Sequence, residues 1–387
     1  MSLNHIVMNE ASPLEAKVAP FTASLAINQG DVLVHIAKFV LTSNTVTYAL
    51  LGRVSLKTFV HYPTGDANFA SSPAWGVGIV VASRSPHVQV GQRIHGYFPM
   101  RKYCVLTPSK IKRGAFEDTA PHRSKLINAY RNYRLSEPLD VSKVDHEDMM
   151  TADGLLFGTG WSATMQAVSK GATSIVFTSA SSRTSLTGAF AAKFHNFNMK
   201  RIGITSSRNV QFVKDTGIYD VVVTYDTISS LSNNGKFAIY DMAGNSNVNS
   251  DLRKTLGSSI IDFGSVGKTN VGFGGKLFST DNPDVLKKEL KQYGGAPPAP
   301  FLIFVAMANA QKEHGPAKVG KMLSEAQAAY ANWKLPTFNA ERAYGAEATL
   351  KIWDKTVKNE CEPGVTYVCS LWPDMESSEL ILSSAKM

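Results

Sequence analysis

From Thr173 to Asp226 the chain reads as strand, tight turn, helix, strand, and this stretch narrows its fold more than any other. The apolar run Ser174–Thr178 meets a cluster of small residues, SASSRTS. A helix-like stretch rich in Ala and Phe follows. A second apolar run, Arg201–Thr205, ends in Ser206, Ser207 and Arg208. A chain that leaves a buried strand, turns tightly and enters a helix presents backbone N–H groups and the positive end of the helix beyond the strand. That geometry seats the pyrophosphate of a dinucleotide.

The turn departs from the usual composition. Glycines normally serve there, for the tight turn, for close approach of the pyrophosphate and for helix–sheet packing. Here the matching places hold Ser179, Ser182 and Ser185. Serine stays small and offers a hydroxyl to a phosphate oxygen, but lacks the freedom of glycine at positive φ. Arg183 adds a charge and five donors. Ser179, Ser182, Arg183, Thr184 and Ser185 are therefore the candidate cofactor-binding residues of the turn.

The end of the second strand selects the cofactor. An NAD site carries Asp or Glu about 20 residues beyond the glycines, on the ribose 2′-hydroxyl. Thr205, Ser206, Ser207, Arg208 and Asn209 stand there, with no acid among them. A carboxylate repels a 2′-phosphate, whereas hydroxyls and a guanidinium bind one. Thr205, Ser206, Arg208 and Asn209 thus point to NADP(H).

With 387 residues, 44% apolar and 18% charged, the chain suits two domains with a sizeable core. No run of about 18 uncharged apolar residues predicts a membrane span, and the first residues carry no signal-peptide pattern. Cys104, Cys361 and Cys369 are few and widely spaced, which fits a reducing, cytoplasmic setting and neither a disulfide framework nor a metal site. The net charge of +9 favours anionic ligands. The basic residues are scattered, so a nucleic-acid binder is the weakest reading.

The first third reads β. Gly30–Leu41 alternates as a half-buried strand, Trp75–Ser83 is a second strand, and Gly91–Pro108 holds short strands between turns, together a small barrel. Ala120–Tyr133 is basic and aromatic, and suits an irregular flap or an exposed helix. From His146 the pattern becomes α/β, beginning with an acid-led helix. Lys236–Gly244 and Ser258–Ser265 are further strands, and alternation with helices implies a parallel sheet. Ligands of such sheets bind at the carboxyl ends of the strands, which brings in Asp241, Ala243, Gly244, Phe263 and Gly264. The tail gives a helix, a turn at Glu362-Pro363-Gly364 and a strand, Val365–Leu371, placed to complete the barrel.

A barrel, a nucleotide domain and a helix–turn–strand tail, in that order, resemble the medium-chain dehydrogenase/reductase superfamily, nearest its zinc-free quinone and enoyl reductases. The stretches LTSNTVTYALLG (Leu41–Gly52), Trp75–Pro99, SSRTS and TSSRN look like an uncharacterised family within it. The resemblance implies a fold of class α/β, a Rossmann-type doubly wound parallel sheet plus a GroES-like β-barrel domain. The barrel would span 1–150 and be completed by 335–387, with the NADP domain over 151–334.

Zinc alcohol dehydrogenases of that superfamily carry Gly-His-Glu where Pro73, Ala74 and Trp75 stand here, so the ligands of a catalytic zinc are missing. The resemblance implies that a polar stretch after a barrel strand faces the nicotinamide. Here that stretch is Asn44 to Tyr48, with Asn44 on the substrate carbonyl, Tyr48 as proton donor and Thr47 beside them. Tyr97 and Phe98 either wall a substrate pocket or pack the core. His61, His95 and His122 show no partner pattern, and a Ser-hydrolase elbow is absent. The expected activity is zinc-independent, NADP(H)-dependent reduction of an enone, quinone or enoyl thioester. The alternative is a non-catalytic NADP(H)- or ligand-binding relative. The expected partners are a small-molecule substrate and a second copy in a homodimer, with neither nucleic acid nor membrane.

Overall fold

A computed structural model describes residues 3–52, 58–124, 126–242, 244–266 and 299–380. The chain forms two compact units, Met1–Ala152 with Phe338–Met387, and Asp153–Thr337. The first opens with strands β1 (Asn4–Asn9), β2 (Ala16–Pro20) and β3 (Val32–Leu41), helix α1 (Ser43–Leu50), then β4 (Phe69–Ala70), β5 (Pro73–Ser83), β6 (Arg93–Pro99), β7 (Tyr103–Leu106), β8 (Ala115–Glu117) and β9 (Asn132–Ser136). Helix α2 (Val144–Ser169) follows, then β10 (Ser174–Phe177), α3 (Arg183–Phe194), β11 (Lys200–Thr205), α4 (Val210–Asp215), β12 (Val221–Thr224), β13 (Phe237–Asp241), α5 (Ser246–Leu256), β14 (Ile260–Ser265), β15 (Ala299–Pro300), α6 (Ile303–His314) and α7 (Pro316–Lys334). The chain returns to the first unit through β16 (Asn339–Tyr344), α8 (Ala346–Val357), β17 (Val365–Ser370) and α9 (Met375–Glu379).

Among the described residues the second unit is built on a six-stranded sheet in the order β12-β11-β10-β13-β14-β15, parallel throughout. Counted from its first strand this is 3-2-1-4-5-6, the doubly wound order, and its direction reverses between β10 and β13. Strands buried on both faces read as continuous apolar runs, as in Ser174–Phe177 and Phe237–Asp241, both fully buried. Val176, Ile202, Ile204, Ile239, Val248 and Leu252 form the core on one side.

Helix α3 lies unusually close to its neighbours because two glycines allow it. A Cβ on Gly188 would lie 2.5 Å from the Phe177 ring of β10. One on Gly160 of α2 would lie 2.5 Å from the backbone N of Gly188. Thr164 Oγ1 donates to Gly188 O across the same contact, at 2.9 Å.

The first unit holds a three-stranded sheet, β2-β1-β4, and an eight-stranded sheet in the order β16-β17-β3-β5-β6-β9-β8, with β7 also on β3. All its pairs are antiparallel except β16–β17. Strand β17 joins β3 with Cys369 opposite Phe39, so residues from far apart in the chain complete one sheet. The stretch expected to be half-buried is not. All but one residue of β3 are buried, because β5 flanks one edge and β7 and β17 share the other, and Phe39 and Leu41 join the core with Trp353 of α8.

The polar residues that made Gly30–Leu41 look half-solvated have internal partners. His35 Nε2 lies 2.8 Å from Ser378 O. Lys38 is 4% exposed and meets Glu147 at 2.5 Å, Asp148 at 2.5 Å and Glu379 at 3.2 Å. Arg93 pairs with the same Glu147 and Glu379, and Arg342 with Asp148. A buried charge is costly unless paired, and these acids supply the pairing. Between β8 and β9 the Ala120–Tyr133 stretch is irregular, with single 3-10 turns at Pro121–Arg123 and Asn128–Tyr130.

Candidate functional site

Each unit carries one group of the expected residues. In the second unit, Ser179 adopts φ +47°, the left-handed conformation that glycine normally supplies. The tight turn is thus made at the place expected of the first glycine, with a serine bearing the strain. Ser179 Oγ lies 3.2 Å from the Tyr225 hydroxyl. Ser182 is the N-cap of α3, its Oγ accepting from Ser185 N and donating to Ser185 Oγ at 3.0 Å. Ser185 is fully buried, and its Oγ donates to Thr178 O at 2.8 Å. Its side chain is therefore spent inside the turn. The close helix–strand approach expected of the third glycine is made one turn later, by Gly188.

Arg183, the first residue of α3, directs its guanidinium to the buried Asp153, 3.3 Å away. Asp153 also meets the buried Lys334 at 2.5 Å. Thr184 follows in the first turn, where helix geometry leaves amides without intrahelical acceptors. At the end of β11, Thr205 is buried. Ser206 caps the short turn Ser207–Asn209, and Arg208 is exposed. Asn209 Nδ2 donates to Ser181 Oγ at 3.0 Å, tying this loop to the turn after β10. Gly203 makes room for that turn, since a Cβ there would meet Ala180 Cβ at 2.9 Å.

At the reversal point Asp241, fully buried, accepts from Thr178 Oγ1 at 2.7 Å, Asn249 Nδ2 at 2.7 Å and Gly244 N at 3.0 Å. It fixes the carboxyl ends of β10 and β13. Gly244 has φ +68°. Phe263 packs on the core under Arg253, whose Cζ lies 4.8 Å from the ring. Gly264 leaves space for the Tyr240 ring. Ala243 lies outside the described residues.

In the first unit, Asn44, Thr47 and Tyr48 stand on α1. Thr42 opens this helix, its backbone N donating to Thr45 Oγ1 at 3.2 Å. Thr47 Oγ1 donates back to Ser43 O. Tyr48 is 8% exposed and its hydroxyl accepts from Trp75 Nε1 at 3.2 Å. The ring packs edge-on against Tyr97 at 5.2 Å and Tyr130 at 5.6 Å. Burial raises the Tyr48 pKa, partly offset by hydrogen bonds from Trp75, Tyr130 and Asn44. The hydroxyl therefore keeps its proton at neutral pH.

Trp75, Tyr97 and Tyr130 pack with tilted rings, their centres 5.0 to 6.1 Å from one another. Fully buried, His61 packs against Tyr97 at 5.4 Å, and among the described residues neither ring nitrogen has a hydrogen-bond partner. Burial, then Arg123, lowers its pKa to about 3. Tyr97 and Phe98 divide by strand alternation. Tyr97 joins this aromatic cluster, while Phe98 packs with Tyr133 in the core. Trp75, Tyr130 and His61 were not expected here. Trp75 read only as a missing zinc ligand and His61 as a residue without a partner. Tyr130 lay in a stretch with no period.

A doubly wound parallel sheet together with a GroES-like β unit that the chain returns to complete is the fold seen in the medium-chain dehydrogenases/reductases. Solved structures bear this out at the level of fold. CurA of Vibrio vulnificus in complex with NADPH matches at 15% identity, covering 95% of this chain and 98% of that one, with a TM-score of 0.60. The quinone oxidoreductase of Coxiella burnetii matches at 14% identity, over 95% and 99% of the two chains, with a TM-score of 0.53. The CurK enoyl reductase matches at 12% identity, over 96% and 99%, with a TM-score of 0.53. No curated protein sequence matches the chain. Residues 39–362 match the family model described as "Protein of unknown function (DUF2855)", and the chain belongs to that family.

Among the described residues no three His, Cys, Asp or Glu side chains come together so as to hold a metal ion. Ala74 is fully buried and Trp75 donates to Tyr48. Among the same residues no helix is long and apolar enough to cross a membrane.

Proposed function

We propose that this protein is an NADPH-dependent reductase acting on an enone, quinone or enoyl thioester without zinc. One observation carries the reading: the switch point of the sheet meets a small-residue turn bent at Ser179 and closed by the N-terminus of α3. Such a terminus attracts anionic groups. The residues fit an NADP-type dinucleotide. Ser179, Ser181 and Ser182 leave room for phosphate, the first turn of α3 offers amides, and Ser206 and Arg208 stand where NAD sites carry an acid. Bound there, the cofactor supplies the hydride.

The chain's own residues would do the rest. Tyr48, kept protonated by burial, would hold the proton delivered to the substrate. Trp75 would fix the Tyr48 hydroxyl, and Asn44 would orient the carbonyl through its amide. On this reading the partners are a small-molecule substrate and a second copy of the chain, and sedimentation equilibrium reads the latter. Quenching of tryptophan fluorescence by NADPH, followed by steady NADPH oxidation with enones and quinones, tests the proposal. Failure of both assays refutes it.

A second reading has an observation of its own. Ser182 and Ser185 use their hydroxyls on one another and on Thr178, so phosphate would be held by backbone amides more than by side chains. A non-catalytic NADP(H)-binding relative would show quenching without turnover.

A further inference from the structure

Five Lys or Arg residues are buried among the described residues: Lys38, Arg93, Arg101, Arg123 and Lys334. Four face carboxylates. Lys38 and Arg93 share Glu147 and Glu379, Arg123 pairs with Asp118, and Lys334 with Asp153. Arg101 does not. It is 8% exposed; among the described residues it has neither an ion pair nor a side-chain hydrogen bond, and its Nε is buried without a partner. Its contacts are aromatic faces: Cζ lies 4.5 Å from the Phe21 ring centre and 5.4 Å from that of Tyr62. Cation–π contacts hold a guanidinium in place but leave its in-plane donors unused. A buried guanidinium in that state is costly.

The surroundings share the same character. Backbone pairing sets His5 opposite Arg101. His5 is 2% exposed, packs edge-on to Phe21 at 5.3 Å, and its Nδ1 has no partner. Burial, then Arg101, lowers the His5 pKa to about 4. Arg123 stacks on the other partner ring, Tyr62, at 4.9 Å, but its carboxylate, Asp118, is engaged with it. The charged and titratable groups facing Arg101 are thus His5, Tyr62, Cys104 and Arg123, and none is an anion at neutral pH. Phe21 is partly exposed, and of the guanidinium nitrogens only Nε is a buried atom without a partner.

We propose that Arg101, in cation–π contact with Phe21 and Tyr62 and with His5 beside it, is a binding site for a small oxyanion, a carboxylate or phosphate group. A planar guanidinium with unused parallel donors matches the two coplanar oxygens of such a group. An uncharged His5 Nδ1 beside it gives or takes one further hydrogen bond. The site borders the Tyr48 cluster through Tyr62, whose hydroxyl donates to Tyr97 O at 2.7 Å, but it does not depend on the reductase reading.

Thermal unfolding of the full chain tests the site with sodium phosphate, sodium acetate and sodium chloride at matched ionic strength. The wild type should be stabilised by phosphate or acetate beyond chloride, and the stronger of the two names the ligand chemistry. Arg101→Met should bind that anion at least tenfold more weakly. In chloride it should be as stable as wild type or more so, because the substitution removes an unpaired buried charge. Arg101→Lys keeps the charge without the fork, and should fall between them in affinity. In the imidazole NMR spectrum of the wild type, the anion should raise the His5 pKa. The proposal fails if the wild type gains nothing beyond chloride, which would assign the donors to water. It fails equally if Arg101→Met keeps the full gain, or if that variant loses stability in chloride, which would make Arg101 a packing residue.

Discussion

Two alanine substitutions in α2 should move stability in opposite directions. Gly154 has no atom within 4 Å of where a Cβ would stand. Replacing it by Ala gains helix propensity, about 1 kcal/mol, and meets nothing. Gly160 has the same propensity to gain, but a Cβ there would lie 2.3 Å from Thr187 Oγ1, 2.5 Å from Gly188 N and 2.6 Å from Thr184 O. Those separations are about 1 Å short of ordinary contact. Two of the three atoms are backbone, so relief requires α3 to move off α2. Overpacking of this kind costs about 1–3 kcal/mol, and the upper half of that range applies where no side chain can turn away. The net expectation for Gly160→Ala is a loss of about 1–2 kcal/mol, set against the propensity gain. For a unit of this size each kcal/mol corresponds to about 2–4 °C in Tm. Differential scanning calorimetry should place Gly154→Ala above the wild type and Gly160→Ala below it. Because α3 opens at the candidate phosphate turn, Gly160→Ala should also weaken NADPH binding, and Gly154→Ala should not. A Gly160→Ala protein as stable as the wild type, or equal shifts for both variants, would refute the packing argument.

Other outcomes are equally specific. Tyr48→Phe should lower turnover by about 10² or more while NADPH affinity stays level, since Phe keeps the ring and loses the proton; wild-type turnover would end the role assigned to that hydroxyl. Asn44→Ala should impair substrate use and likewise spare NADPH binding. NADPH should bind at least tenfold more tightly than NADH, a difference of about 1.4 kcal/mol, and Arg208→Ala should erase most of it; equal wild-type affinities would contradict the 2′-phosphate assignment. Stability should fall as pH drops from about 6.5 towards 4. His5, His61 and His95 have folded pKa values lowered to about 4, 3 and 4. Below the unfolded value the unfolded chain binds protons that the folded one does not, and above it these groups contribute nothing. His61→Phe should flatten that slope by about 1.4 kcal/mol per pH unit, and an unchanged slope would contradict its burial as a neutral ring. At neutral pH a thiol reagent should label Cys361 well before Cys104, whose thiol burial pushes up to about 12.

The strands of the second unit were legible because parallel, doubly buried strands leave unbroken apolar runs. Arg201–Thr205 lies within β11 and Ser174–Thr178 overlaps β10 almost completely. In the first unit, β16 escaped because NAERAY carries no apolar run and is held by pairing with β17. The alternation in Gly30–Leu41 misled about solvent because Lys38 finds its carboxylates on α2 and α9, distant in sequence. For the same reason the sequence could nominate Tyr48 but not its surroundings. Trp75, His61 and Tyr130 are brought to it by strand pairing and irregular loops, which leave no period. The serines of the turn could be seen, but not the direction of their hydroxyls, nor that Gly188 would take over the packing task one turn later.

The return of β17 to β3 has a consequence for synthesis on the ribosome. The Asp153–Thr337 unit is contiguous and can fold as soon as it emerges, since domains generally fold as units. The first unit cannot, because β3 waits for a partner made only after the whole second unit. Until then its open edge is a template for mispairing with other chains, and Lys38 lacks Glu379. Premature termination before Val365 should therefore yield an insoluble product even though the second unit has been made. A fusion placed after the last residue should be tolerated only where it leaves β17 free to dock.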